Sequence, residues 1–155
     1  MGEHARILVV DDDESIRKTI SSILEEKGYI VDTAENGREA IEKSDCSFYN
    51  LVLVDIRLPD MEGTKLLSRF RETTPKMVKI ILTGFPALQN AIEAVNKGAD
   101  AYMLKPVNID HLLSVIAQHL RKQKEARKFS EQKVAEFIET RVQELDQEKH
   151  VTQGK

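Results

Sequence analysis

The chain has 155 residues, of which 41% are hydrophobic and 32% charged, a globular composition far from that of a disordered or membrane-embedded chain. Its net charge of −3 divides unevenly: residues 1–120 hold 14 Lys+Arg against 19 Asp+Glu, and residues 121–155 hold 9 against 7. Neither part is basic enough to neutralise many phosphates, so direct nucleic-acid binding is not expected. No apolar run exceeds four residues, so no transmembrane helix and no membrane association are expected. The opening residues Met1–Arg6 lack the apolar region of a signal peptide, and the single Cys46 excludes an internal disulfide. The cytoplasm is the expected location.

In chain order, Ile7–Val10 is a short unalternating apolar block, the pattern of a strand covered on both faces of a parallel sheet. Ile16, Ile20, Ile23 and Leu24 then keep helical spacing up to Gly28, with Asp13 and Glu14 as N-cap candidates. Tyr29–Ala34 is a weaker strand, and Asn36-Gly37 leads into a helix around Ala40 and Ile41. Leu51–Val54 is a second clear strand, after which Leu66, Leu67 and Phe70 mark a helix that ends before Pro75. Val78–Leu82, with Lys79 inside it, is the fourth strand, and Ala91, Ile92 and Val95 mark a helix closed by Gly98. Ala101–Leu104 is the fifth strand, and Asn108 is placed to cap a last helix striped by Ile109, Leu112, Leu113, Ile116 and Leu120. Five strand-then-helix units predict an open, doubly wound α/β sheet with functional groups at the carboxyl ends of its strands.

The last helix has no obvious stop. Neither Gly nor Pro occurs from Asn108 to Gln153, so it is expected to continue as a rod of about 70 Å. Only 9 of the 35 residues after Leu120 are hydrophobic, and Val134, Phe137, Ile138, Val142 and Leu145 form a thin seam. Two readings stand: a solvated, charge-laced helix, or a short coiled coil or linker to another module. The expected organisation is a compact domain over residues 1–120 and a polar helical extension over 121–155.

The polar residues at the predicted strand ends are Asp11, Asp12, Asp13 and Glu14, then Asp55, Thr83 and Lys105 before Pro106. Carboxylates gathered at one edge repel unless a cation sits among them. Oxygen ligands without His or Cys suit Mg²⁺ rather than zinc. A lysine and a hydroxyl opposite them supply a charge and a donor for phosphate oxygens, which makes this a phosphoryl-transfer site. Asp55, alone at the end of a central strand, is the expected nucleophile, forming an acyl phosphate, while the adjacent Asp11 and Asp12 share the metal. Arg57 and Phe85, each two residues beyond a site residue, are expected to overhang the site, and Gly84 to widen access to it. His4, His111, His119 and His150 show no metal spacing and are expected at the surface, and Cys46 as a small, partly buried hydrophobe.

The motifs Ile7-Leu8-Val9-Val10-Asp11-Asp12, Leu53-Val54-Asp55-Ile56-Arg57-Leu58-Pro59-Asp60-Met61-Glu62-Gly63, Ile81-Leu82-Thr83-Gly84 and Tyr102-Met103-Leu104-Lys105-Pro106 occur in order over about residues 5–120. Together they resemble the receiver domain of two-component response regulators. The resemblance implies a flavodoxin-like five-stranded parallel sheet of strand order 2-1-3-4-5. It implies that Asp55 accepts a phosphoryl group from a sensor histidine kinase or phosphotransfer protein, with Mg²⁺ held by Asp11, Asp12, Asp55 and the backbone carbonyl of Arg57. It further implies that Thr83 and Lys105 contact the phosphoryl oxygens and that Lys105–Pro106 is a cis peptide. Thr83 moving inward, with Tyr102 filling the space it leaves, would alter the surface of the fourth helix, fifth strand and fifth helix. That face, or the C-terminal helix, is the expected homodimer contact.

Such a protein is a phosphoacceptor switch rather than an enzyme acting on other substrates. One rival is an aspartate-nucleophile phosphohydrolase using Asp11, but Ser15 stands where that class wants Thr or Val, and Asp55 would have no role. Another is a helical adaptor carrying an idle receiver scaffold, which would use the extension alone.

Overall fold

The computed structural model describes residues 4–84 and 87–153, with side chains described up to residue 148. Phe85, the first three residues of the chain and the side chain of His150 lie outside the described residues. Five parallel strands, β1 (Arg6–Val10), β2 (Ile30–Ala34), β3 (Leu51–Val54), β4 (Val78–Thr83) and β5 (Ala101–Leu104), form one sheet in the order β2-β1-β3-β4-β5. They alternate with α1 (Glu14–Glu26), α2 (Gly37–Cys46), α3 (Gly63–Leu67), α4 (Leu88–Asn96) and α5 (Ile109–Gln153).

Successive strand residues face opposite sides of the sheet, so each apolar block feeds two cores. Leu8, Val10, Val52, Val54 and Ile81 pack with Ala40 of α2, Leu66 and Leu67 of α3 and Ala94 of α4. Ile7, Val9, Leu51, Leu53, Ile80 and Leu82 pack with Ile20 and Leu24 of α1 and Leu112 and Ile116 of α5. β2 lies at the sheet edge, which explains its weaker sequence signal: an edge strand tolerates the polar Asp32 and Thr33.

The caps follow the local chemistry. Asp13 accepts from the Ile16 amide at 3.1 Å, Asn36 from Glu39 at 2.8 Å, and Asn108 from His111 at 3.1 Å. Gly28 and Gly98 both take positive φ after helices, as the sequence pattern requires. Both Lys105–Pro106 and Thr74–Pro75 are cis; the second was not anticipated.

Two expectations need correction. The helix expected to include Phe70 ends at Leu67; Phe70 is still buried, but it reaches the core from irregular chain after the helix. Cys46 is exposed, because in the last turn of α2 it is Ser44 that takes the buried side of the helix.

α5 runs unbroken for 45 residues, about 68 Å. Beyond Leu120, Val134, Phe137, Ile138, Val142 and Leu145 are 44–72% exposed. The arm nevertheless leaves the domain in a fixed direction. Gln123 Nε2 donates to the Asn50 carbonyl at 2.9 Å and the Lys76 carbonyl at 2.8 Å, and its Oε1 accepts from Asn50 Nδ2 at 3.1 Å. Gln123→Ala is expected to lower the unfolding free energy by about 1–2 kcal/mol, since it strips partners from half-buried groups. Guanidinium denaturation checks this, and an unchanged midpoint would contradict it.

Candidate functional site

The topology brings the carboxyl ends of β1, β3, β4 and β5 side by side. β1 and β3 pair with Val10 opposite Val54, so the residues that follow, Asp11 and Asp55, emerge level with each other. The Asp55 amide donates to the Val10 carbonyl at 3.0 Å. On the other side Thr83 is the last residue of β4 and pairs with Leu104, and the Lys105 amide donates to the Thr83 carbonyl at 2.9 Å. Backbone register therefore sets the site before any side chain is considered.

Asp11 and Asp55 are only 4% and 8% exposed, and Thr83 is fully buried. Lys105 Nζ lies 2.6 Å from Asp11 Oδ2 and 2.9 Å from Asp55 Oδ2, bridging the two carboxylates. Burial pushes the Asp11 carboxyl up, outweighing the opposing pull of Lys105 and of the Asp13 amide. Burial also disfavours the Lys105 ammonium, but its bonds to the two aspartates outweigh this and hold its pKa above the ordinary lysine value. The lysine therefore stays charged throughout the neutral range.

The remaining aspartate oxygens are held by backbone. Asp11 Oδ1 accepts from the Asp13 amide at 2.9 Å, and Asp55 Oδ1 from the Arg57 amide at 3.2 Å. Arg57 itself is exposed. Asp12 is exposed and makes no hydrogen bond or ion pair among the described residues. Oxygens of Asp11, Asp12 and Asp55 all lie within 4.8 Å of one another. An all-oxygen set with two buried carboxylates and one unengaged carboxylate fits a hard divalent cation such as Mg²⁺.

Three contributors were not apparent from the sequence. Arg17, its side chain 12% exposed, donates from Nη1 to the Asp11 carbonyl at 2.7 Å and so pins the loop after β1 to α1. Its place one turn after the N-cap Asp13 was the available signal. Asp60 accepts from the Gly37 and Arg38 amides at 2.9 Å each, tying the loop after β3 to the start of α2. Although burial opposes it, those amide donors hold the Asp60 carboxyl below the usual range. Gly63 is the third, since a Cβ there would sit 2.1 Å from the Asp55 carbonyl oxygen. Tyr102, on β5, is half-buried against the α2–α4 core.

A profile of the response regulator receiver domain matches residues 7–117. The chain belongs to the response regulator receiver family. Receivers are signalling modules of two-component systems, and this one has the five-stranded order shared by the family. It is similar to a CheY-like receiver domain protein of Methanospirillum hungatei JF-1, with 44% identity, a TM-score of 0.77 and coverage of 80% of this chain and 99% of that one. It also resembles the beryllofluoride-activated NtrC4 receiver domain dimer, at 36% identity and a TM-score of 0.71 over 76% of this chain and 98% of that one. Transcriptional regulatory protein ZraR of Klebsiella oxytoca is 36% identical over 119 residues, which cover 77% of this chain but 27% of that protein. The receiver spans about a quarter to about half the length of the curated relatives it matches. No helix among the described residues is long and apolar enough to cross a membrane.

Proposed function

We propose that this receiver is a phosphorylation switch in which Asp55 takes a phosphoryl group from a histidine kinase or phosphotransfer protein. The observation that carries the reading is Lys105 Nζ held between Asp11 and Asp55 at the meeting of three strand ends. An Asp55 carboxylate oxygen forms the new P–O bond, the P–N bond of the donor phosphohistidine breaks, and the imidazole departs with its electron pair. Lys105 faces the incoming phosphoryl oxygens with a fixed positive charge, and Thr83 supplies a hydroxyl at the same edge. Asp11, Asp12, Asp55 and the Arg57 carbonyl would hold Mg²⁺, which would offset negative charge at the transferring group. The receiver unit is residues 1–120, and residues 121–155 form its output arm.

Metal binding has its own signature. Mg²⁺ at ten times its Kd is expected to stabilise the fold by about 1.4 kcal/mol. Asp12→Asn should remove that increment while leaving the metal-free stability within about 0.5 kcal/mol, since Asp12 is exposed and unengaged. Equal Mg²⁺ increments in both proteins, measured by thermal melting, would discard Asp12 as a ligand.

The switch is tested with beryllofluoride, a stand-in for the phosphoryl group. Added with Mg²⁺, it is expected to shift the amide resonances of Thr83 and Tyr102 and of α4, and to leave Asp55→Asn unaffected. Changes confined to Asp11–Asp13 would contradict a switch that runs through Thr83 and Tyr102. The same addition is expected to double the sedimentation mass. Loss of doubling in Ile92→Glu assigns the dimer to the α4, β5 and α5 face, where Leu88, Ile92 and Val95 are exposed, and loss in Ile138→Glu assigns it to the arm. A constant monomer would contradict dimerisation. Output then passes through protein contacts rather than direct nucleic-acid binding by this chain.

A further inference from the structure

At the amino ends of the strands, opposite the Asp55 edge, the turn after α1 and the first turns of the arm enclose a cleft of about 330 Å³. Small-molecule sites span roughly 300–1,000 Å³. Four cations line this cleft, Lys27, Arg121, Lys124 and Arg127, and among the described residues no Asp or Glu does. His4 joins them, its Nδ1 bonded to the Gly28 carbonyl at 2.7 Å. Arg127 pairs with Glu131 at 3.2 Å, but Lys27, Arg121 and Lys124 make no ion pair among the described residues. The chain as a whole carries a net charge of −3, so the positive charge here is a local concentration.

The helix that carries three of these cations is fixed in rotation. Arg121, Lys124 and Arg127 recur every three residues along one side of α5, and Gln123, between them, is fastened to Asn50 and Lys76 by three hydrogen bonds. That clamp sets the rotation of the helix, and with it the face from which the three side chains project. Part of the remaining wall is apolar: Ala117 and Leu120 of α5 and the ring of Tyr29, which packs against the α1–α5 core. Clustered cations beside a partly apolar wall suit a small molecule with several adjacent negative charges and an organic part.

We propose that this cleft binds a small polyphosphate-bearing molecule, its phosphates held by Lys27, Arg121, Lys124 and Arg127 and any organic part set against Tyr29. The site is distinct from the phosphoacceptor edge and lies where the domain passes into the arm, so its occupancy would bear on the arm's direction.

The test uses the full chain without Mg²⁺ at about 0.15 M salt, where the Debye length of about 8 Å suppresses diffuse attraction. Inorganic triphosphate and ATP are titrated by calorimetry, and amide resonances locate the contact. Saturable binding is expected, with shifts at Gly28, Tyr29 and Gln123 rather than at Asp11 and Asp55. Lys124→Glu and Arg121→Glu, both at exposed positions, should each weaken it at least about tenfold, a difference of about 1.4 kcal/mol. Gln123→Ala should weaken it without removing any cation. ATP binding more tightly than triphosphate supports an organic part on Tyr29, and equal binding supports recognition of the phosphates alone. Absence of saturable binding by either probe, an unchanged Kd in both charge reversals, or shifts confined to the Asp55 edge would overturn the proposal. So would a single-stranded oligonucleotide binding more tightly than ATP, because the cleft would then be part of a nucleic-acid surface.

Discussion

Asp55→Asn is expected to slow labelling by acetyl phosphate in the presence of Mg²⁺ by at least about 100-fold, equivalent to about 2.7 kcal/mol in the barrier. The amide keeps the size of the carboxylate but cannot serve as the oxygen nucleophile. The fold should survive, because Lys105 retains Asp11 at 2.6 Å and one of two mutually repelling buried carboxylates is gone. Intact-mass measurement against time, paired with thermal melting, separates chemistry from unfolding. Stoichiometric labelling of this variant at the normal rate would transfer the acceptor role to another residue, Asp11 first among them.

Gly63→Ala is expected to have the largest effect on stability, about 3 kcal/mol or more. The added Cβ would sit 2.1 Å from the Asp55 carbonyl oxygen and 2.9 Å from Val54 Cγ1. Neither can yield easily. β3 is hydrogen-bonded on both sides, to β1 and β4, and the Gly63 amide is itself bonded to the Ile56 carbonyl at 2.6 Å. Any relief moves the backbone of Asp55, so labelling should slow in the fraction that remains folded. Gly84→Ala is the control: a Cβ there meets nothing within 4 Å among the described residues, and its stability should stay within about 0.5 kcal/mol of the parent. Urea denaturation of the two variants should give widely separated midpoints, and similar midpoints would contradict the steric account.

What the sequence made legible, and what it did not, follows from the range of the interactions involved. Ile7–Val10 and Leu51–Val54 were readable because burial on both faces leaves an unbroken apolar run. Asp13 and Asn108 were readable because a cap bonds only two or three residues ahead. Asp11, Asp55, Thr83 and Lys105 could be assigned to one edge because a doubly wound sheet aligns its strand ends. The bridge from Lys105 to both aspartates could not be read, since it joins residues 94 and 50 positions apart. The Gln123 clamp, across 73 positions, was hidden for the same reason in a stretch that looked only like a polar helix. Phe70 misled the helix boundary because burial and helical spacing usually coincide, and here irregular chain delivers the ring to the core. Gly63 stood within a recognised motif, but the need for glycine lies in how closely it approaches the Asp55 backbone, which no local pattern encodes.

Locating the label decides whether Asp55 is the phosphoacceptor. The full chain is treated with acetyl phosphate and Mg²⁺, digested under mildly acidic conditions and mapped by tandem mass spectrometry. One acyl phosphate per chain is expected, on the peptide containing Asp55, and none when Mg²⁺ is chelated. A label on Asp11, or no label with any donor while the fold remains intact, would contradict it.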